Sequence, residues 1–133
     1  MSEITRVTDP DGYSHDGFLA IPFTQTEAGQ NTLGAWTSEQ PTRFTVQTGG
    51  IYWFDLHCIA IVAANTPVAL FVFKNGQPLY QINRTLVYLP SVAGAESFQL
   101  HFSQFLSAGD FIEWRLSTSV PVTIYPRAGV VKL

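Results

Sequence analysis

The side chains that could do chemistry are few: three histidines, one cysteine, ten acids and seven lysines and arginines in 133 residues. His15, His57 and His101 share no short ligand spacing, and strand alternation points the lone Cys58 away from His57, so no metal site forms from one copy. A threefold axis would present His57 or Asp55 three times, the one route by which such a residue could become a ligand cluster. Nucleophilic catalysis needs a serine or cysteine beside a base on a shaped turn, and no Gly-x-Ser-x-Gly or related arrangement occurs. Asp110 and Glu113 could in principle serve as acid and base. One sits in a turn and the other beside Arg115, which reads as turn capping and charge pairing instead. No glycine-rich phosphate loop opens a helix, since no helical periodicity is present. The reading is a protein that is not an enzyme and takes no cofactor.

Charge and hydropathy narrow the partners. Net charge is −3 and the basic residues are scattered, so no basic stripe exists to neutralise phosphates, and nucleic acid is excluded. The longest apolar run, IAIVAA at 59–64, falls far short of the roughly 20 residues of a membrane-spanning helix, and no membrane partner is expected. The opening MSEITRVTDPDGYSHDGF carries acids where an export signal needs a basic start and an apolar segment. The expectation is a chain without a signal peptide, made in the cytoplasm. Cys58 has no intrachain partner and reads as a buried thiol, and Asn83-Arg84-Thr85 is a glycosylation tripeptide without meaning in a chain that is not exported.

The elements that must position these residues are strands. Residues 1–17 are polar, with a turn at Asp9-Pro10-Asp11-Gly12, and read as an N-terminal arm preceding a domain over 18–133. Short apolar runs then recur between Gly, Pro, Asn, Asp and Ser, the pattern of an all-β sandwich. In IYWFDLHCIAIV at 51–62, Tyr52, Phe54, Leu56, Cys58, Ala60 and Val62 share one face and belong in the core. The other face carries Ile51, Trp53, Asp55, His57, Ile59 and Ile61, too apolar for water and too polar for a sandwich interior. A protein partner covering it satisfies both. Further strands are read at 17–23, 32–37, 43–46, 67–73, about 78–82 after the Asn75-Gly76 hairpin turn, 84–89, 97–106, 111–117 and 120–125. Aromatics make up 14% of the chain and charged residues only 13%, against a typical ~25% charged, which again asks for a permanent docking surface.

Four pieces carry a family resemblance: Trp36 before a strand, Arg43-Phe44-Thr45-Val46 running into Gly50-Ile51-Tyr52-Trp53-Phe54, Phe73-Lys74-Asn75-Gly76, and Leu106-Ser107-Ala108-Gly109-Asp110-Phe111-Ile112-Glu113. In this order they resemble the jelly-roll superfamily of tumour necrosis factor and the globular head of the first complement component. The resemblance covers about Phe18 to Val131. It implies a two-sheet antiparallel jelly-roll sandwich of about ten strands that assembles as a homotrimer, with Trp53, Asp55, His57, Ile59 and Ile61 at the trimer interface. No Gly-X-Y stalk precedes the domain, and Leu56 stands where an aromatic often sits. Pro22-Phe23 and the later motifs look more like the stand-alone versions of bacteriophages and bacteria.

The function expected on this basis is a virion structural protein, a trimeric capsid decoration protein of a tailed bacteriophage. It would sit on the virion surface and bind capsid protein through the N-terminal arm, which would order on docking. The alternative is a receptor-binding tip of a tail fibre or another module that binds cell-surface glycan, with Tyr80 and Tyr88 as the aromatics placed to stack on sugar rings.

Overall fold

The computed structural model describes residues 3–63, 66–79 and 94–133, with the backbone alone at 85–88. Ten strands and no helix occur among the described residues: β1 (Ile4–Thr8), β2 (Tyr13–Ala20), β3 (Gln25–Asn31), β4 (Arg43–Thr45), β5 (Gly50–Val62), β6 (Pro67–Lys74), β7 (Gln77–Pro78), β8 (Thr85–Tyr88), β9 (Gly94–Leu106) and β10 (Phe111–Lys132).

Two layers share β10. Its second half pairs with β5 from Thr123 to Lys132 and with β1 from Arg127 to Val131, giving the order β3-β1-β10-β5-β9. Its first half pairs with β6 on one side and with β4 and then β2 on the other. The register of β2 against β10 breaks between Thr118 and Val122, and Pro121 lies in that break. A proline has no N–H to give a ladder, so the break is where it is tolerated and where β10 passes between layers.

The core forms where the layers face each other. Phe54 of β5 stacks on Phe102 of β9 with ring centroids 5.0 Å apart, and Phe102 meets Trp114 of β10 edge-on at 5.3 Å. Phe44 closes the group from β4, 6.4 Å from Phe54. Every second residue of β5 from Tyr52 to Val62 is buried, as the alternation predicts. The β6–β7 hairpin turns through Asn75 and Gly76 at φ 52° and 80°, the left-handed pair that an Asn-Gly turn requires.

Four sequence-based assignments need correction. The segment 1–17 is not a free arm. Ile4–Thr8 lies between β10 and β3, and Tyr13–His15 pairs with Ile124–Val122. Val7 and His15 are buried, because alternation of period two operates even in a mostly polar strand when the neighbouring strands supply the walls. Residues 32–37 are not a strand: Ala35 and Trp36 are buried in a loop that Trp36 Nε1 closes by donating to the Pro41 carbonyl at 2.9 Å. The segments 111–117 and 120–125 are one element, β10, since the register break around Pro121 interrupts the pairing with β2 without ending the strand. The strand Gln25–Asn31, rich in Gln, Asn and Gly, escaped prediction because edge position and ladder pairing, not apolar patterning, hold it. The return after Asn75-Gly76 includes Gln77–Pro78, and its remainder at 80–82 lies outside the described residues.

Candidate functional site

The outward face of the β3-β1-β10-β5-β9 layer carries the predicted interface residues. On β5, Ile51, Trp53, Ile59 and Ile61 are 40–51% exposed. Register places Phe105 beside Ile51 on β9 and Tyr125 beside Ile59 on β10, and Phe105 is 61% exposed. Large apolar side chains therefore stand together on the solvent side of three adjacent strands, a patch of the kind monomers seldom leave open.

A polar group crosses the middle of this face. Arg6 of β1 reaches Asp55 of β5 at 3.6 Å, passing over β10 at Gly129, where an added Cβ would stand 3.0 Å from Arg6 Nη1 and 3.2 Å from Asp55 Oδ2. The glycine leaves room for the pair. Arg6 also approaches Glu27 of β3 at 3.9 Å, and Arg127 holds Glu27 through Nε at 2.5 Å and Nη2 at 3.2 Å. The hydrogen bond from Arg127 is the main reason the Glu27 carboxyl is held below the usual carboxylate range, and the same bond raises Arg127. His57 lies in register between Gln99 and Arg127. His101 stands opposite Asp55, stacks on Trp53 at 5.8 Å with the ring planes 13° apart, and shares a 3.3 Å hydrogen bond with Gln99 Oε1.

Asp55 and His57 thus share the exposed face with Trp53, Ile59 and Ile61 in one copy. Among the described residues, no group of three or more His, Cys, Asp or Glu is placed to hold a metal ion. Cys58 is a free, buried thiol whose pKa burial pushes up. His15 is buried as well. Its Nε2 meets the Leu116 carbonyl at 2.8 Å and so carries the proton, leaving Nδ1 to accept from the Tyr13 hydroxyl at 2.6 Å. Burial, with smaller effects of Cys58 and Asp9, keeps that hydroxyl protonated far above its usual range.

Asp110 caps its turn as expected. It accepts from the Ser107 amide at 2.8 Å and Asn75 Nδ2 at 2.9 Å, and lies 3.7 Å from Lys74. Glu113 pairs with Arg115 at 3.0 Å, the charge pairing expected of it, and it is buried. Thr42 donates to its Oε2 at 2.7 Å and Arg43 approaches at 3.8 Å, so three partners replace the lost water. Tyr80 lies outside the described residues, as does Asn83-Arg84, and the side chain of Tyr88 is likewise outside them.

Sequence reasoning did not assign Phe105 to the exposed face. The signal was present, since Phe105 falls out of phase with buried Phe98, Phe102 and Leu106. Arg6, Glu27 and Tyr125 joined the face only through strand pairing across long sequence separations.

The layer order and the shared long strand can be compared with solved structures. The globular domain of zebrafish complement 1qA protein superposes with a TM-score of 0.77 at 11% identity, over 100% of this chain and 98% of that one. The fold is that jelly roll. Murine APRIL superposes at 0.70 and 15% identity in crystals at pH 8.5, and at 0.67 and 16% at pH 5.0, over 100% of both chains in each case. The chain therefore has the all-β jelly-roll fold of these two domains, the fold its motif order suggested. No family model matches the sequence, and no curated protein matches it.

The jelly roll places the apolar outer face of β5, β9 and β10 on one broad side of the sandwich. That face combines apolar contact area with a few ion pairs, the composition of protein interfaces in general.

Proposed function

We propose that the chain is a non-enzymatic structural module that assembles as a homotrimer through the outer face of β5, β9 and β10. The observation that carries this reading is the exposed cluster of Ile51, Trp53, Ile59, Ile61, Phe105 and Tyr125 on a single sheet face. A threefold arrangement lets each copy cover part of its neighbour's patch and closes on itself, so this face is not left open to drive further association. The paired Arg6, Asp55, Glu27 and Arg127 add polar contacts that fix register without an unpaired buried charge.

The specific role we assign is decoration of a tailed-bacteriophage capsid, on the virion surface. Two considerations support it: the motif resemblance to stand-alone phage jelly rolls, and the match between a threefold module and the threefold and quasi-threefold positions of a capsid. The folded β1 and β2 leave the docking to surfaces of the sandwich. Light scattering should find a trimer in dilute solution. Electron microscopy of purified particles should place that trimer on capsid threefold positions. A stable monomer removes the assembly reading, and particles bearing the protein only on the tail remove the capsid role.

A further inference from the structure

The second layer carries an aromatic surface that the assembly reading does not use. On its outward face, Phe18 of β2, Phe71 and Phe73 of β6, Pro78 of β7 and Ser117 of β10 line a groove of about 320 Å³. Register explains their meeting: Ser117 lies opposite Phe18, Arg115 opposite Phe71, and Pro78 opposite Phe73. Phe18 contacts Phe71 edge-on at 5.3 Å and Phe73 at 5.8 Å, and Phe18 is 48% exposed.

The groove has a charged end. The Arg115 guanidinium lies 4.0 Å over the Phe73 ring and 6.0 Å from that of Phe18. Its single hydrogen bond among the described residues runs from Nη2 to Glu113, and its Nε is buried without any acceptor. Arg43 leans on the same carboxylate at 3.8 Å, so two guanidiniums share one negative charge. Lys74 and Asp110 pair with each other beside them, at 3.7 Å. Among the described residues, the local balance is one unmatched positive charge at the end of an apolar groove.

We infer that this groove binds a protein segment presenting a bulky apolar side chain next to a carboxylate. The side chain enters between Phe18, Phe71 and Phe73, and the carboxylate accepts from the Nη N–H groups of Arg115 that Glu113 does not take, supplying the missing counter-charge. A planar guanidinium already stacked on Phe73 is preorganised for such a contact, so little side-chain entropy is lost. A sugar fits less well, since Ser117 is the one hydroxyl among the lining residues and Glu113 is already committed. The site lies on the sheet opposite the proposed trimer face and does not depend on trimer formation.

The test uses the full chain and two probes, N-acetyl-leucine and its uncharged amide, followed by amide-detected NMR titration. The acid should shift the amides of Phe71, Phe73 and Ser117. The amide should bind at least about tenfold more weakly, the effect of losing a charge-assisted hydrogen bond. Arg115→Gln should bring the acid down to the level of the amide while the rest of the spectrum holds. If that variant fails to fold, the comparison of acid and amide on the unaltered chain decides alone. Equal binding of the two probes, no shift at the groove, or tighter binding of methyl glucoside than of the acid would overturn the inference.

Discussion

Replacing Trp53 by alanine isolates the assembly face, because the indole lies outside the core and its loss leaves the interior untouched. The side chain is 40% exposed in one copy. Of the roughly 250 Å² that a large aromatic offers, about 100 Å² is then left for a neighbour to cover. At about 25 cal/mol per Å² this is about 2.5 kcal/mol per copy, and about 7.5 kcal/mol for a trimer that makes the contact three times. The trimer association constant should fall by about five orders of magnitude. Sedimentation velocity over a range of concentrations reads the effect directly: trimer for the parent, monomer for Trp53→Ala at the same micromolar loading, with unchanged far-ultraviolet circular dichroism. A variant that stays trimeric across that range would show that the indole is not covered and that the partner-facing surface lies elsewhere.

Tyr13→Phe removes the donor to buried His15 Nδ1 and should lower unfolding free energy in urea by about 1–3 kcal/mol, the cost of an unsatisfied buried acceptor. Gly12 has φ +71°, and an added Cβ would stand 2.6 Å from the Tyr125 ring, so Gly12→Ala should destabilise by at least about 1 kcal/mol in the same assay. Glu27 and Asp110 have folded pKa values below their unfolded ones. Their contribution is present above about pH 4 and is lost as pH falls below it, so Glu27→Gln should flatten the acid limb of a melting-temperature profile from pH 7 to 3. The buried Cys58 thiol, its pKa pushed up, should resist iodoacetamide in the native protein and react only in denaturant.

The depth of sequence legibility differed between elements for physical reasons. The strand Gly50–Val62 was readable because its two faces differ consistently at period two, and the Asn75-Gly76 turn because only left-handed residues serve there. The first strand was not. Val7 is its one fully buried aliphatic residue, and the ladders that hold Ile4–Thr8 come from residues 127–131, at the opposite end of the chain, and from 25–31. Likewise Trp36 looked like a strand residue by type, while its ring is fixed in a loop by a hydrogen bond to Pro41.

Residue types and their alternation determined by themselves that this chain is all β, which side of the long strand enters the core, and that Trp53, Ile59 and Ile61 stand on its other side. These depend on neighbours in sequence, where the pleat sets direction. Only the tertiary structure decided that Phe105 and Tyr125 extend that face, that Arg6 and Glu27 cross it, and that Phe18 meets Phe71 and Phe73 beside Arg115. Each of those meetings is set by the register of strands distant along the chain, which no local pattern encodes.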